Sequence, residues 1–127
     1  MKISTLSEAT GLSIDTLRFY EKIGLIDPPP RDDAGRRDYP EDVIGWIGFL
    51  GQLNATGMPQ SERIRYAKLR RRGAETYTER RELLEAHREV IRERLALLQD
   101  TMALMDRKVE IYRDLESNAL IAQENEE

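Results

Sequence analysis

Residues 11–26 read GLSIDTLRFYEKIGLI, and this stretch decides the fold of the N-terminal part of the chain. Ser13 is suited to an N-cap, because its hydroxyl can accept a hydrogen bond from an amide of the first helical turn. Asp15 adds a negative charge to that turn, where the helix dipole favours an anion. Gly24 can adopt the left-handed conformation that ends many helices. The stretch therefore predicts a short helix over residues 14–22.

A shorter helix is predicted immediately before this one. The apolar residues Ile3, Leu6 and Ala9 share a helical face that ends at Gly11. The two helices and the turn between them form a helix-turn-helix. Residues 25–39 contain the apolar pair Leu25 and Ile26, a run of three prolines and then the cationic segment RRDY at 36–39. This pattern predicts two short strands around a flexible tip, that is, a wing.

Residues 40–73 read as two further helices that are broken at Gly57 and Pro59. Apolar residues recur at three and four positions along the first of them, which is typical of a helix with one buried face. Three arginines and Gly73 end the second helix, because cations in a last turn followed by glycine are a common stop signal. We expect residues 1–73 to form one domain.

The remaining segment, residues 74–127, has the strongest periodicity in the chain. A helix over about residues 78–115 carries two apolar series, each with a spacing of seven, four positions apart, as in a coiled coil. Its seam consists of Leu84, Ile91, Leu95, Leu98, Met102, Met105, Val109 and Tyr112. This apolar stripe is too long to be buried against the small domain of residues 1–73. We therefore expect a second copy of the chain to cover it, which would form a homodimer. An acidic tail, residues 123–127, follows the helix.

Composition excludes several classes of protein. The chain has 127 residues, no cysteine and one histidine, so disulfides, thiolate metal sites and cysteine nucleophiles are excluded. No nucleophile and base pair, phosphate loop or metal cluster stands out, and we expect neither an enzyme, a cofactor nor a bound metal. The N-terminus lacks an apolar signal core and no apolar run could span a membrane, which favours a cytoplasmic protein with no membrane partner.

The net charge of −4 is unevenly distributed. Residues 1–73 carry a net charge of +2, and residues 74–127 carry −6. The first part can therefore present a basic face in spite of the acidic average.

Cations and hydroxyls on the second helix and the wing form the candidate DNA surface. Arginine can bind guanine edges or phosphates, and hydroxyl groups suit phosphate oxygens. The predicted contact residues are Ser13, Thr16, Arg18, Tyr20, Lys22, Arg31, Arg36, Arg37, Tyr39 and Arg63. The arginines at 70–72 have two open interpretations, further phosphate contacts or helix-stop cations.

Three glycines, Gly45, Gly48 and Gly51, fall inside a predicted helix, where each costs about 0.8–1 kcal/mol of helix propensity. Three explanations stay open: close approach of the partner's long helix, drift on a tolerant face, or a small cavity for an apolar effector. The candidate effector pocket consists of Trp46, Phe49 and Gln52. His87 lies beside the seam, and we expect a partly exposed helix residue rather than a metal ligand.

The motif at residues 11–26, the returning run GRRDY at 35–39 and the sequence EDV at 41–43 strongly resemble the MerR family of bacterial transcription regulators. The resemblance covers about residues 1–73. It implies a mainly α fold, with a winged helix-turn-helix DNA-binding head and a long antiparallel coiled-coil dimerisation helix. It also implies a homodimer on an inverted-repeat operator within an overlong promoter spacer, whose double-stranded DNA is distorted so that RNA polymerase holoenzyme can use the promoter.

By position in the motif, Arg18 and Tyr20 match contact residues of the family's second helix, and Arg37 and Tyr39 match those of its wing. Arg36 stands where the family usually has an aromatic residue. Further matches lie at Trp46, Ile47 and Phe49, then Gly57, then the run RRELL at 80–84, and Lys108 with Tyr112. These matches resemble the aldehyde-responsive branch of the family, whose reactive cysteine aligns with Gln52. Thiol-based sensing therefore does not carry over. The alternative function is a coiled-coil protein-interaction module whose head does not bind DNA.

Overall fold

The computed structural model describes residues 1–126, and their contacts divide the chain into two units, with the boundary between His87 and Arg88. Glu127, the last residue of the predicted acidic tail, lies outside the described residues. The elements are α1 (Ile3–Thr10), α2 (Ile14–Ile23), α3 (Asp42–Ala55), α4 (Gln60–Arg71), a 3-10 turn (Gly73–Thr76) and α5 (Tyr77–Glu126). This order confirms a mainly α fold with a helix-turn-helix at its start and a long final helix.

The helix-turn-helix forms where the capping residues predict it. The Ser13 hydroxyl accepts a hydrogen bond from the Thr16 amide at 3.1 Å, and α2 begins at the next residue. Gly11 and Gly24 follow α1 and α2 with φ angles of +74° and +89°, in the left-handed region that glycine tolerates without a steric penalty. The capping residues therefore set both the turn and the length of α2.

An apolar core joins α1, α2, α3 and the base of the wing. Each of its buried side chains is at most 5% exposed, and burying one aliphatic side chain contributes about 1.5–3 kcal/mol. Its members are Leu6, Leu17, Leu25, Ile26, Tyr39, Ile47 and Leu50. Leu6 of α1 and Ile47 and Leu50 of α3, which lie on the predicted apolar faces, therefore meet in one core, whereas Ala9 of the α1 face is exposed.

A second apolar cluster extends the first unit beyond the expected domain end at residue 73. Leu53, Met58, Leu69 and Leu83 are buried together. Leu83 lies in the second turn of α5, so the early turns of that helix pack on α3 and α4. For this reason the boundary between the two units of the chain falls after His87 and not at Gly73.

His87 differs from its expected exposure. The side chain is 8% exposed, and its Nε2 lies 2.8 Å from the Thr56 hydroxyl at the end of α3. That hydroxyl also donates to the Gln52 carbonyl, a bond of 3.0 Å. The expectation of a partly exposed histidine was wrong, because the periodicity of α5 does not reveal that its first turns pack against α3.

The wing contains less strand structure than the sequence predicts. Across residues 1–126 the only β pairing is one isolated antiparallel bridge between Arg31 and Arg37. The bridge is formed by two backbone hydrogen bonds, from the Asp38 amide to the Pro30 carbonyl and from the Asp32 amide to the Arg36 carbonyl. The three prolines at 28–30 have no N–H to donate, which prevents a longer ladder on that side of the wing.

The second unit consists of the later part of α5. Residues 88–126 are helical throughout, about 60 Å at 1.5 Å per residue, and no glycine or proline interrupts them. The helix therefore continues through the expected end near residue 115 and along the acidic tail to Glu126. In the part of the chain that the structure describes, no helix is both long and apolar enough to cross a membrane.

Candidate nucleic-acid interface

A basic cleft lies between the N-terminus of α1, the α2 helix and the wing. Its volume is about 310 Å³. Five cations and no carboxylate are among its lining residues, which are Lys2, Ile3, Ser4, Arg18, Arg31, Gly35, Arg36 and Arg37. Four of the predicted contact residues are thus brought together from two separate stretches of sequence. A concave surface lined by one sign of charge concentrates counter-charged groups such as phosphates.

The sequence pattern did not single out Lys2 or Ser4 for this surface. Lys2 is the N-cap residue of α1 and is exposed. The Tyr39 amide donates to the Met1 carbonyl at 2.8 Å, and this bond holds the residues before α1 beside the base of the wing. In the sequence, the only signal for Lys2 is that a cation directly precedes the first helix. Its closeness to the arginines of the wing cannot be predicted from this signal, because it depends on how the wing folds back towards α1.

The tip of the wing is organised by Asp32. Its Oδ1 accepts hydrogen bonds from the Arg36 amide at 2.9 Å and the Ala34 amide at 3.0 Å. The bond from the Arg36 amide favours the ionised form and holds the pKa of Asp32 below its ordinary value of 3.8. Across the turn, Arg31 Nη1 donates to the Gly35 carbonyl at 2.8 Å. The turn is therefore ordered, while the Arg36 side chain stays 66% exposed.

Arg37 is held in place by α2. Its Nε donates to Glu21 Oε2 at 3.1 Å, and the two side chains are 33% and 15% exposed. Among the contacts of residues 1–126, only the Nε proton of Arg37 is used, so the other N–H groups of its guanidinium can bind an anionic ligand. Sequence analysis did not assign Glu21 a role, although it is the residue that fixes the wing to α2.

The other predicted residues of α2 occupy different positions. Ser13 and Thr16 lie at the N-terminus of the helix, where the Ser13 hydroxyl donates to the Thr16 hydroxyl at 2.8 Å. Lys22 is exposed and does not line the cleft. Tyr20 is half-buried against the main core and lines a separate hollow together with residues of α1 and α3. The cleft thus takes only Arg18 from α2.

Two predicted contact residues are interior residues instead. Tyr39 is 1% exposed, and Arg63 is 7% exposed, with its Nε donating to the Met58 carbonyl at 3.3 Å. Neither side chain can reach a ligand from this position without leaving its burial site. We therefore correct both assignments: Tyr39 belongs to the core, and Arg63 closes the turn between α3 and α4.

Each arginine of the 70–72 triplet makes a different contact within the protein. Arg70 stacks its guanidinium over the Trp46 ring at 4.3 Å from the ring centroid. Arg71 bonds to Asp27 and to the Gly24 carbonyl, and Arg72 lies 3.3 Å from the Glu75 carboxylate. These contacts favour the structural interpretation of the triplet over a shared phosphate site.

The expected effector pocket is only partly present. Trp46 lines a cavity of about 320 Å³ beside the proline run, together with Val43 and Arg70. Phe49 and Gln52 do not line it, and Phe49 instead packs near Tyr66, which stacks on Trp46 with ring centroids 5.7 Å apart. This cavity is therefore not the pocket of Trp46, Phe49 and Gln52, and an effector bound by those three residues stays a prediction.

The three glycines of α3 are exposed and have open space beside them. Apart from their chain neighbours and the backbone of their own helix, no atom of residues 1–126 lies within 4 Å of a Cβ added at Gly45, Gly48 or Gly51. No described tertiary contact therefore requires glycine at these positions. Close approach of a partner helix and drift on a tolerant face both stay open.

The predicted seam residues in the second unit are accessible. Leu95, Leu98, Met102, Met105, Val109 and Tyr112 are 48–66% exposed. Ile91 is half-buried, and Leu84 lies in the first unit, where it packs on the second apolar cluster. A third apolar series at the same spacing of seven, Val90, Leu97, Leu104 and Ile111, was missed by sequence analysis. Each member directly precedes a residue of the Ile91 series and therefore lies about 100° away around the helix, outside the seam.

Comparison with known proteins identifies the family. The sequence model described as MerR family regulatory protein matches residues 2–39. A crystal structure of a MerR family transcriptional regulator from Listeria monocytogenes superposes with a TM-score of 0.84 at 34% identity, over 98% of this chain and 92% of that one. The chain belongs to the MerR family.

Two further relatives of this MerR family chain are transcriptional regulators. The regulator AdhR of Bacillus subtilis is 37% identical over 89 residues, which is 70% of this chain and 64% of AdhR. HiNmlR, a MerR family regulator that lacks the sensor domain, was crystallised bound to promoter DNA. It matches with a TM-score of 0.79 at 29% identity, over 91% of this chain and 92% of HiNmlR.

Proposed function

We propose that this chain is a sequence-specific DNA-binding transcriptional regulator that acts as a homodimer on an inverted-repeat promoter operator. The basic cleft is the observation that carries the proposal. The cleft brings Arg18 of α2 together with Arg31, Arg36 and Arg37 of the wing. HiNmlR, a relative of this chain in the same family, was crystallised bound to promoter DNA. Positions on both α2 and the wing allow one head to contact the base edges of a groove and the flanking backbone.

The homodimer is proposed from the exposed apolar face of α5. Side chains such as Leu98 and Met102, which are 66% and 61% exposed, lose this exposure when a second helix covers them. Two identical chains related by a twofold axis match the symmetry of an inverted repeat. The antiparallel arrangement comes from the family resemblance.

The mode of action is also proposed from the family. A dimer that holds two half-sites in an overlong promoter spacer would distort the DNA between them, so that RNA polymerase holoenzyme can engage both promoter elements. Deformation of a site of 20–30 base pairs requires about 1–6 kcal/mol, which the phosphate contacts of two basic clefts can offset.

Operator binding across a salt series tests the proposal. About ten phosphate contacts per dimer predict a loss of about three to five decades in affinity between about 50 and 200 mM salt. The operator should also be bound more tightly than a random duplex of equal length. Equal and negligible binding to both duplexes would contradict DNA binding and favour a coiled-coil interaction module.

A further inference from the structure

Arg71 connects three elements of the head that are distant in sequence. It lies in the last turn of α4, where its Nε donates to Asp27 Oδ1 and its Nη2 donates to the Gly24 carbonyl. Gly24 is the residue directly after α2, and Asp27 begins the loop that leads into the wing. One guanidinium therefore holds the end of α2 and the start of the wing against α4.

Both acceptors are suited to a cation. The carbonyl of Gly24 lies at the C-terminal, negative end of the α2 dipole, and Asp27 supplies a carboxylate. The approach is close, since a Cβ atom at Gly24 would lie 3.7 Å from Arg71 Nη2. The planar guanidinium can serve two acceptors at once, whereas an ammonium group at the end of a lysine side chain presents a single point charge.

The neighbouring arginines do not make this connection. Arg72 contacts Glu75, three residues away, and Arg70 stacks on Trp46 of α3. Arg71 instead contacts Asp27 and Gly24, which lie 44 and 47 residues away in the sequence. Along the chain, Arg71 is followed by the 3-10 turn and then by α5, so it lies where the head leads into the long helix.

We propose that Arg71 is a positioning residue that fixes α2 and the base of the wing relative to α4, and thereby sets how strongly the dimer distorts its promoter DNA. The inference rests on the proposed function. Arg71 lies outside the basic cleft. Loss of Arg71 therefore leaves the cations that contact DNA in place but changes the orientation of α2 and the wing relative to α4.

The experiment compares Arg71→Ala with Arg72→Ala, two variants that remove the same charge from adjacent positions. Operator affinity is measured by titration, and distortion by energy transfer between dyes at the two ends of the operator duplex. Arg71→Ala should keep its affinity within about twofold of wild type and reduce the population of distorted complex about fivefold, as expected for the loss of a charged contact whose side chains are 34% and 57% exposed. Arg72→Ala should match wild type in both measurements.

A second measurement needs no DNA. The amides of Leu25 and Ile26 donate to the Tyr20 carbonyl at 2.9 and 3.3 Å, directly beside the clamped Gly24. Their hydrogen exchange should accelerate about fivefold in Arg71→Ala and stay unchanged in Arg72→Ala. If Arg71→Ala does not fold, Asp27→Asn and Arg71→Lys, which each weaken one part of the contact, should shift distortion in the same direction by a smaller factor.

The outcomes separate the inference from the function on which it rests. Arg71→Ala behaving like Arg72→Ala in distortion and in hydrogen exchange would overturn the role of Arg71 while leaving DNA binding intact. A parallel loss of affinity and distortion in Arg71→Ala would make it an ordinary binding residue and would also overturn the inference. Wild-type protein that binds no operator would overturn both proposals.

Discussion

The Tyr39 hydroxyl donates a hydrogen bond to Glu21 Oε2 at 3.3 Å, from a side chain that is only 1% exposed. Burial, followed by the negative charge of Glu21, raises the pKa of Tyr39 above its ordinary value of 10.0. The same carboxylate accepts the hydrogen bond of Arg37. A single carboxylate of α2 therefore holds one interior and one surface residue of the wing.

The first prediction concerns alkaline pH. Because the folded-state pKa of Tyr39 is raised, the unfolded chain releases the phenolic proton first. The associated stability is complete below the unfolded value of about 10 and is lost as the pH rises through the folded-state pKa. The free energy of unfolding, measured with urea at about pH 8 and pH 11, should fall more in wild type than in Tyr39→Phe. An identical fall in both proteins would contradict the assigned pKa shift.

The second prediction concerns Glu21. Glu21→Ala leaves the Tyr39 hydroxyl without its buried acceptor and releases Arg37, so the free energy of unfolding should fall by about 1–3 kcal/mol. Operator affinity should weaken by about tenfold, because the wing loses its attachment to α2. Glu8→Ala is the matched control, since Glu8 is an exposed residue of α1. Equal affinities of the two variants would show that the wing does not need Glu21.

The third prediction concerns the charge of the basic cleft. Arg18→Ala removes one cation from each head, so the affinity for the operator should fall by about tenfold or more. If Arg18 contacts phosphate, the slope of log affinity against log salt should fall by about two per dimer. An unchanged slope with lost discrimination between operators would instead assign Arg18 to a base edge.

Arg65→Ala provides the control for this variant. Arg65 is exposed on α4 and lies 3.8 Å from Glu62 on the same helix, away from the lining of the cleft. It should change affinity by less than about twofold, since surface ion pairs of this kind contribute little. Sedimentation should show that both variants remain dimers.

The fourth prediction concerns the apolar face of α5. Leu98→Asp places a charge at the centre of the proposed helix pair, where desolvation without a partner strongly disfavours association. The variant should sediment as a monomer. Ala103→Asp, which adds the same charge outside the apolar series, should remain a dimer. A dimeric Leu98→Asp would contradict the assigned seam.

The fifth prediction concerns the tip of the wing. The lowered pKa of Asp32 means that its contribution to wing stability is present above its ordinary value of 3.8 and is lost as the pH falls through the folded-state pKa. The Ala34 and Arg36 amide resonances should therefore shift together with a midpoint below 3.8. The shift should be absent in Asp32→Asn, and its persistence there would assign it to another group.

Local features of this protein could be predicted from its sequence because they depend on neighbouring residues. The Ser13 cap, the glycines after α1 and α2, and the heptad spacing of α5 each act within a few residues. The helix bounds therefore agree closely between sequence and structure. The end of α5 is the exception, since no residue after position 115 supplies a stop signal.

The candidate site was predictable only in part, because burial depends on which distant segments meet. Tyrosine and arginine are residue types suited to DNA contacts, yet the fold places both Tyr39 and Arg63 in the interior. Lys2 was overlooked, since its approach to the wing arginines depends on the return of the chain at Tyr39.

The sequence by itself determined the helix-turn-helix, the long helix with its apolar seam and the family of the chain, because capping, periodicity and motif are written in adjacent residues. Only the tertiary structure decided which cations line one cleft and which lie outside it. Arg70, Arg71 and Arg72 are chemically identical neighbours, but a ring, a helix end and a local carboxylate hold them separately. The physical reason is that an arginine's role depends on the acceptor within reach, and for Arg71 that acceptor is supplied by residues more than 40 positions away.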